Sequence, residues 1–121
     1  MIGVGVDLVE VDRMRTALAR TPTLEARLFT DGERAYARAA HDPAERFAVR
    51  FAAKEAAMKA LGVGLGAIDW HDVEVVREGS GRPRLVVTGR ALELAADLGV
   101  SGWLVSLTHT ASMAEAVVVA R

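Results

Sequence analysis

The stretch RFAAKEAAMKALG, Arg50–Gly62, reads as the second half of a long helix running from about Ala44 to Leu61. Advancing about 100° per residue gathers Phe47, Phe51 and Met58 into one bulky stripe. Glu55 and Lys59 fall along one border of the stripe, Arg50 and Lys54 along the other. Alanine covers much of the remaining surface, which lets a strand or helix pack closely. A helix made for burial therefore carries charge at its middle. The plain reading of Glu55 and Lys59 is an i,i+4 surface pair worth about 0.2–0.5 kcal/mol. A second reading, in which these groups serve a site, depends on what the rest of the chain brings to them.

Downstream, GVGLG (Gly62–Gly66) stops the helix with three glycines in five residues. Upstream, His41-Asp42-Pro43 separates it from an earlier helix in FTDGERAYARAA, where Thr30 and Glu33 have capping-box spacing. Leu24–Leu28 predicts a short helical piece. Asp12–Arg20 predicts another helix, capped by Asp12, presenting Arg13, Arg15 and Arg20 and ending before Pro22. Ile2–Val9 alternates as a strand. Ile2, Val4, Val6 and Leu8 make one greasy face; Gly3 and Gly5 bare the other, which then carries Asp7. Beyond the long helix, Asp72–Glu78 and Arg84–Gly89 predict a hairpin around GSGRP. Arg90–Gly99 predicts a short helix, and GWLVSLTH and MAEAVVVAR two further strands joined near Thr110–Ser112. The order β-α-α-α-β-β-α-β-β predicts an α+β fold, a mainly antiparallel sheet packed on the long central helix.

Composition narrows the chemistry. At 121 residues the chain suits one domain. It has no cysteine, which removes disulfides, thiolate catalysis and cysteine-held zinc. A net charge of −1 predicts no general attraction to nucleic acid. No apolar run is long enough to span a membrane, and MIGVGVDLVE shows no basic leader, so a soluble cytoplasmic protein is expected. The cations are uneven in kind: thirteen arginines against two lysines, Lys54 and Lys59, which flank Glu55. That usage suggests a need for compact ammonium groups rather than planar forks.

Asp7 gives the helix charges their second reading. Glycine within a strand often marks close approach of another backbone. An aspartate on that bared face could meet the border carboxylate of a helix packed there. Two converged carboxylates repel unless they share a proton or a cation. Without cysteine, and with no histidine at ligand spacing, such a pair suits Mg²⁺, which takes one or two carboxylates along with waters and substrate phosphates. The two lysines are then expected to face phosphate oxygens. GVGLG offers backbone that a ligand can approach, though it matches no Walker or dinucleotide pattern. His109 suits a turn, a base or a phosphate contact. Trp70 and Trp103 read as packing residues, and His41 and His71 carry no assigned role.

GVGVDLVEVDR (Gly3–Arg13), RFAAKEAAMKALG and VSLTHT (Val105–Thr110), with DVEV and GRPRL between them, resemble the signature segments of the holo-acyl-carrier-protein synthases, the small 4′-phosphopantetheinyl transferases. The resemblance runs over nearly the whole chain and makes 1–121 one transferase domain. It implies transfer of 4′-phosphopantetheine from coenzyme A to a serine of apo acyl carrier protein, dependent on Mg²⁺, in support of fatty acid biosynthesis. It implies Asp7 and Glu55 as metal ligands, with Glu55 and Lys59 catalytic. Arg50, Lys59, Gly62, Gly64, Pro83 and His109 correspond to the coenzyme A site, and Arg13, Arg15 and Arg20 to the carrier-docking surface. It further implies a homotrimer with sites between subunits. A metal-dependent hydrolase with the same carboxylates, or a non-catalytic carrier-binding module, are the other function classes. Thr23 departs from the resemblance, standing where relatives often carry a basic residue.

Overall fold

The computed structural model describes residues 2–77 and 81–121. The chain runs β1 (Gly3–Glu10), α1 (Val11–Arg20), α2 (Leu24–Leu28), α3 (Asp31–Arg38) and α4 (Pro43–Leu61). A 3-10 turn (Trp70–Asp72) then leads into β2 (Val73–Arg77), β3 (Pro83–Val87), α5 (Gly89–Asp97), β4 (Trp103–His109) and β5 (Met113–Ala120). The expected α+β architecture is observed. One antiparallel sheet has the order β1-β5-β4, and β2 and β3 form a separate antiparallel pair. The first strand thus lies beside the last, with Gly3 opposite Ala120 and Glu10 opposite Met113. Glu78, the expected last residue of the first hairpin strand, and Gly79 and Ser80, the first two residues of the expected turn GSGRP, lie outside the described residues.

α4 is the spine. Pro43 opens it, where a missing N–H costs nothing. Gly62 closes it in the left-handed region (φ 73°), its N–H and that of Val63 returning to the carbonyls of Lys59 and Met58. One side of α4 presents Ala52, Ala53, Ala56, Ala57 and Ala60 to Ala116, Val118 and Ala120 of β5 and to Val73, Val75 and Leu85 of the hairpin. The other side seats Phe47, Ala48 and Val49 among Val11, Met14, Leu28 and Phe29. The helix is therefore wrapped nearly all round, and Arg50 and Lys54 are each only 1 % exposed.

β1 meets α4 through its bare face. A Cβ added at Gly3 would stand 2.0 Å from the carbonyl oxygen of Ala60, and one added at Gly5 1.9 Å from that of Ala56. No side chain fits there, so the glycines lower the strand directly onto the helix backbone. The greasy face of the strand consequently points away from the helix. Ile2, Val4, Val6 and Leu8 are 48–59 % exposed, and Val117 and Leu104 extend the patch across the sheet.

The helix ends follow local chemistry with one correction. Thr30 and Glu33 form the expected reciprocal capping box at α3. Asp12 does not cap α1. The helix starts at Val11 with Glu10 at the N-cap position and no side-chain cap bond, and Asp12 sits in the first turn, hydrogen-bonded to Arg15.

Candidate active site

Two residues of a strand advance about 6.6 Å and four residues of a helix about 6 Å, so β1 and α4 run past each other in step. Gly3 sits over Ala60 and Gly5 over Ala56. The next residue on that face, Asp7, arrives one helical turn further along, beside the border that carries Glu55. Helical side chains lean toward the N-terminus, which tips Lys59 back toward the same spot. Its Nζ donates to the carbonyl of Val6 at 2.9 Å and to Asp7 Oδ1 at 3.2 Å. Burial, and then the negative charge of Asp7, push the Glu55 carboxyl above its ordinary range, with Lys59 opposing. The two acids therefore feel each other across a space that a cation would relieve.

This trio opens into a cleft of about 900 Å³. Arg13, Met14 and Ala17 of α1 and Leu24, Arg27 and Leu28 of α2 form one flank. Phe51 and Trp70, stacked with centroids 5.1 Å apart, form the other, and Leu65 and Gly66 lie at the lip. The Asp7–Glu55–Lys59 trio thus opens onto a lining that is otherwise largely apolar, with Glu10, Arg13 and Arg27 as its other charged members.

The chain matches the profile of the 4′-phosphopantetheinyl transferase superfamily over residues 3–117. It is 52 % identical over 120 residues to the holo-[acyl-carrier-protein] synthase of Streptomyces avermitilis, covering 99 % of this chain and 97 % of that one. The chain belongs to this transferase family. The fold agrees with solved members. The Neisseria meningitidis holo-[acyl-carrier-protein] synthase superposes with a TM-score of 0.90 at 27 % identity, covering 100 % of this chain and 98 % of that one. The Bacillus anthracis synthase, solved in complex with coenzyme A (3′,5′-ADP), superposes at 0.80 with 30 % identity, covering 97 % and 93 %.

For a phosphopantetheinyl transferase, the residues singled out in the sequence divide into two groups. Asp7, Glu55, Lys59 and Arg13 meet in the cleft. Arg50, Gly62, Gly64, Pro83 and His109 do not line it. Arg50 is buried, its Nη1 donating to the carbonyl of Arg46 at 3.3 Å and its guanidinium 4.5 Å from the Tyr36 ring centroid. Its Nε has no hydrogen-bond partner among the described residues. Gly62 serves as the helix stop, while Leu65 and Gly66 are the loop residues that reach the cleft. Pro83 opens β3, and His109 ends β4 with Nδ1 2.9 Å from Glu45 Oε2. Of the three arginines expected from the sequence to dock the carrier, Arg13 and Arg20 are exposed on α1, whereas Arg15 is tied to Asp12 and to Asp42.

The expectation for Lys54 is overturned. Its Nζ faces no open site; it lies in the core, 2.8 Å from Glu33 Oε1. Two features of the cleft and one of the core escaped the sequence reading. Arg27 stands on the cleft face of α2, a position that the i,i+3,i+4 spacing of Leu24, Arg27 and Leu28 would have revealed. Trp70 packs as expected, but it also lines the cleft. Glu33 was legible only as a cap, because nothing local announces its partner on α4.

Proposed function

We propose that this chain transfers 4′-phosphopantetheine from coenzyme A to a serine of apo acyl carrier protein, in support of fatty acid biosynthesis. The observation that carries the reading is the meeting of Asp7, Glu55 and Lys59 in one cleft. The names of the relatives and the coenzyme A complex of the Bacillus anthracis synthase support the same substrate pair.

The residues present fit Mg²⁺. Two adjacent carboxylates are the usual protein share of such a site, and the Lys59 ammonium against Asp7 already stands in for a cation. Asp7 and Glu55 would hold the ion, which when bound neutralises charge on the pyrophosphate and orients it. The serine Oγ bonds to the β-phosphorus, and the bond from that phosphorus to the bridging oxygen breaks. The electron pair leaves on adenosine 3′,5′-bisphosphate. Lys59 faces this developing charge with a compact ammonium. Glu55, through the carboxylate oxygen not engaged with the ion, would take the serine proton. Arg13 and Arg20, joined by Arg27, form the basic rim that receives an acidic carrier.

The working unit of this proposal is a homotrimer. The exposed apolar face of β1, β5 and β4 supports it, since contiguous apolar patches on soluble proteins mark interfaces. The division of the coenzyme A residues supports sites between subunits: Pro83 and His109 of one copy would complete the Asp7 cleft of the next. The absence of cysteine fits work in the cytoplasm, and no helix among the described residues is long and apolar enough to cross a membrane.

The test is mass spectrometry of apo acyl carrier protein incubated with this chain, coenzyme A and Mg²⁺. A gain of one phosphopantetheine on the carrier is expected. Metal-dependent breakdown of coenzyme A with an unchanged carrier would overturn the reading in favour of a hydrolase. Tight carrier binding with neither change would favour a binding module.

A further inference from the structure

The buried ion pair Lys54–Glu33 has side chains 1 % and 0 % exposed. An ion pair so deep is costly to desolvate and is often no more stable than an apolar pair of equal volume. Burial draws the Lys54 ammonium below its usual range, with Glu33 restoring part of the loss. The pair's connections show what it holds. Lys54 Nζ donates to the carbonyl of Trp70 at 2.9 Å, to that of Val73 at 2.5 Å and to Glu33 Oε1 at 2.8 Å. An ammonium has three N–H donors, and here each has an acceptor. Glu33 in turn accepts from Thr30 N and Val75 N, both at 3.0 Å. Four elements are joined at one point: α3, α4, β2 and the segment that enters β2.

That segment carries the wall of the cleft. The Trp70 carbonyl points at Lys54, while its indole stacks on Phe51 and lines the cleft beside Glu55. Phe51 precedes Glu55 by one helical turn, so the aromatic wall and the carboxylate pair share one face of α4. A guanidinium cannot aim donors in the same three directions from so short a reach, since its fork is planar. The lysine usage noted in the sequence therefore has a structural cause at position 54.

We propose that Lys54 is a positioning residue: its ammonium, held on the Trp70 and Val73 carbonyls, fixes the segment before β2 and thereby sets the aromatic wall against which the apolar arm of coenzyme A lies. The inference rests on the transferase reading for its substrate, but not for its geometry. The wall touches a part of the substrate that does not react. Loosening it weakens ground state and transition state alike, which raises KM and leaves kcat nearly unchanged.

The test uses the full chain in a Trp103→Phe background, so that Trp70 is the sole indole. Lys54→Arg keeps the pair neutral but misdirects the donors. Lys54→Met with Glu33→Gln removes the clamp and both charges together. Glu33→Gln alone weakens the core while leaving the Lys54 donors on both carbonyls. Both clamp variants should shift Trp70 emission to longer wavelength and raise KM for coenzyme A about tenfold, with kcat within about twofold. Glu33→Gln should lower Tm without either change. Unchanged emission in Lys54→Arg, or a KM that tracks Tm in all three variants, would overturn the proposal. The emission shift needs no turnover, so a shift in a protein that proves inactive would uphold the clamp while removing the transferase reading. If the double variant does not fold, Lys54→Arg carries the same test.

Discussion

Replacing Gly5 by alanine adds a single methyl group where the strand touches the helix backbone. Its Cβ would stand 1.9 Å from the Ala56 carbonyl oxygen and 2.9 Å from Ala60 N. Ordinary contact begins near 3.4 Å, so β1 must rise by about 1.5 Å. The neighbour is backbone of a helix wrapped nearly all round and cannot rotate aside, and β5 holds the strand's paired edge along its whole length. Overpacking of this kind costs about 1–3 kcal/mol, and a backbone clash belongs at the upper end. For a chain of this size, about 3 kcal/mol lowers Tm by about 10 °C. Asp7 is two residues away on the same face, so the lift also separates it from Glu55 and stretches the Lys59 bonds to Val6 and Asp7. A misplacement of about 1 Å at a reacting centre can cost about 100-fold in rate. Calorimetric unfolding, Mg²⁺ titration and the carrier mass assay read the three consequences. Gly64→Ala is the stability control: that glycine has open space around its missing Cβ, and the change should leave Tm nearly unmoved. Gly5→Ala with wild-type Tm and wild-type turnover would refute the claim that the close strand–helix approach builds the site.

Asp7→Ala and Glu55→Ala should each abolish transfer while unfolding at or above the wild-type temperature; near-normal turnover of either at saturating Mg²⁺ would exclude it as a ligand. Arg13→Glu should weaken carrier binding about tenfold at low salt and reduce its salt dependence, measured by titration at two ionic strengths. Val4→Glu, which buries a charge in any assembly built on the outer sheet face, should yield smaller species in sedimentation with circular dichroism preserved. Glu25 gives a pH prediction. Burial pushes its carboxyl up, but hydrogen bonds from Arg38 and Arg34 outweigh burial and hold it below the ordinary range. The unfolded chain thus binds the Glu25 proton more readily than the folded one. The stabilisation, about 1 kcal/mol with both arginines partly in water, is complete at neutral pH. It is lost as pH falls below the ordinary carboxylate range. The Tm gap between wild type and Glu25→Gln should therefore narrow on acidification.

Much of the fold was legible because its signals are local. Thr30 and Glu33 announce a helix start, Pro43 and Gly62 bracket α4, and alternation marks β1. Asp7 and Glu55 could be paired in advance because Gly3 and Gly5 bare the strand for a close neighbour. What stayed hidden is non-local. A helical angle places Lys54 at a border; whether that border meets solvent depends on Trp70, Val73 and Glu33, which lie 16, 19 and 21 residues away. Alternation likewise defines two faces of β1 without saying which one the helix covers. Had the greasy face met α4, Asp7 would have pointed to solvent and the site would not exist.

That last point ties assembly to chemistry. Seating Gly3 and Gly5 on α4 forces Ile2, Val4, Val6 and Leu8 outward, because successive strand residues must face opposite sides. One alternation produces both the carboxylate meeting on the inner face and the apolar patch on the outer one. Val6 joins the two faces within a single residue. Its side chain belongs to the exposed patch, and its carbonyl accepts from Lys59 Nζ at 2.9 Å. Covering the patch with a second copy would press on the strand that holds the Lys59 ammonium in register with Asp7. Residues on the outer face are thus one peptide bond from the Lys59 contact, so a substitution that displaces β1 from its outer side would also move the Lys59 ammonium against Asp7.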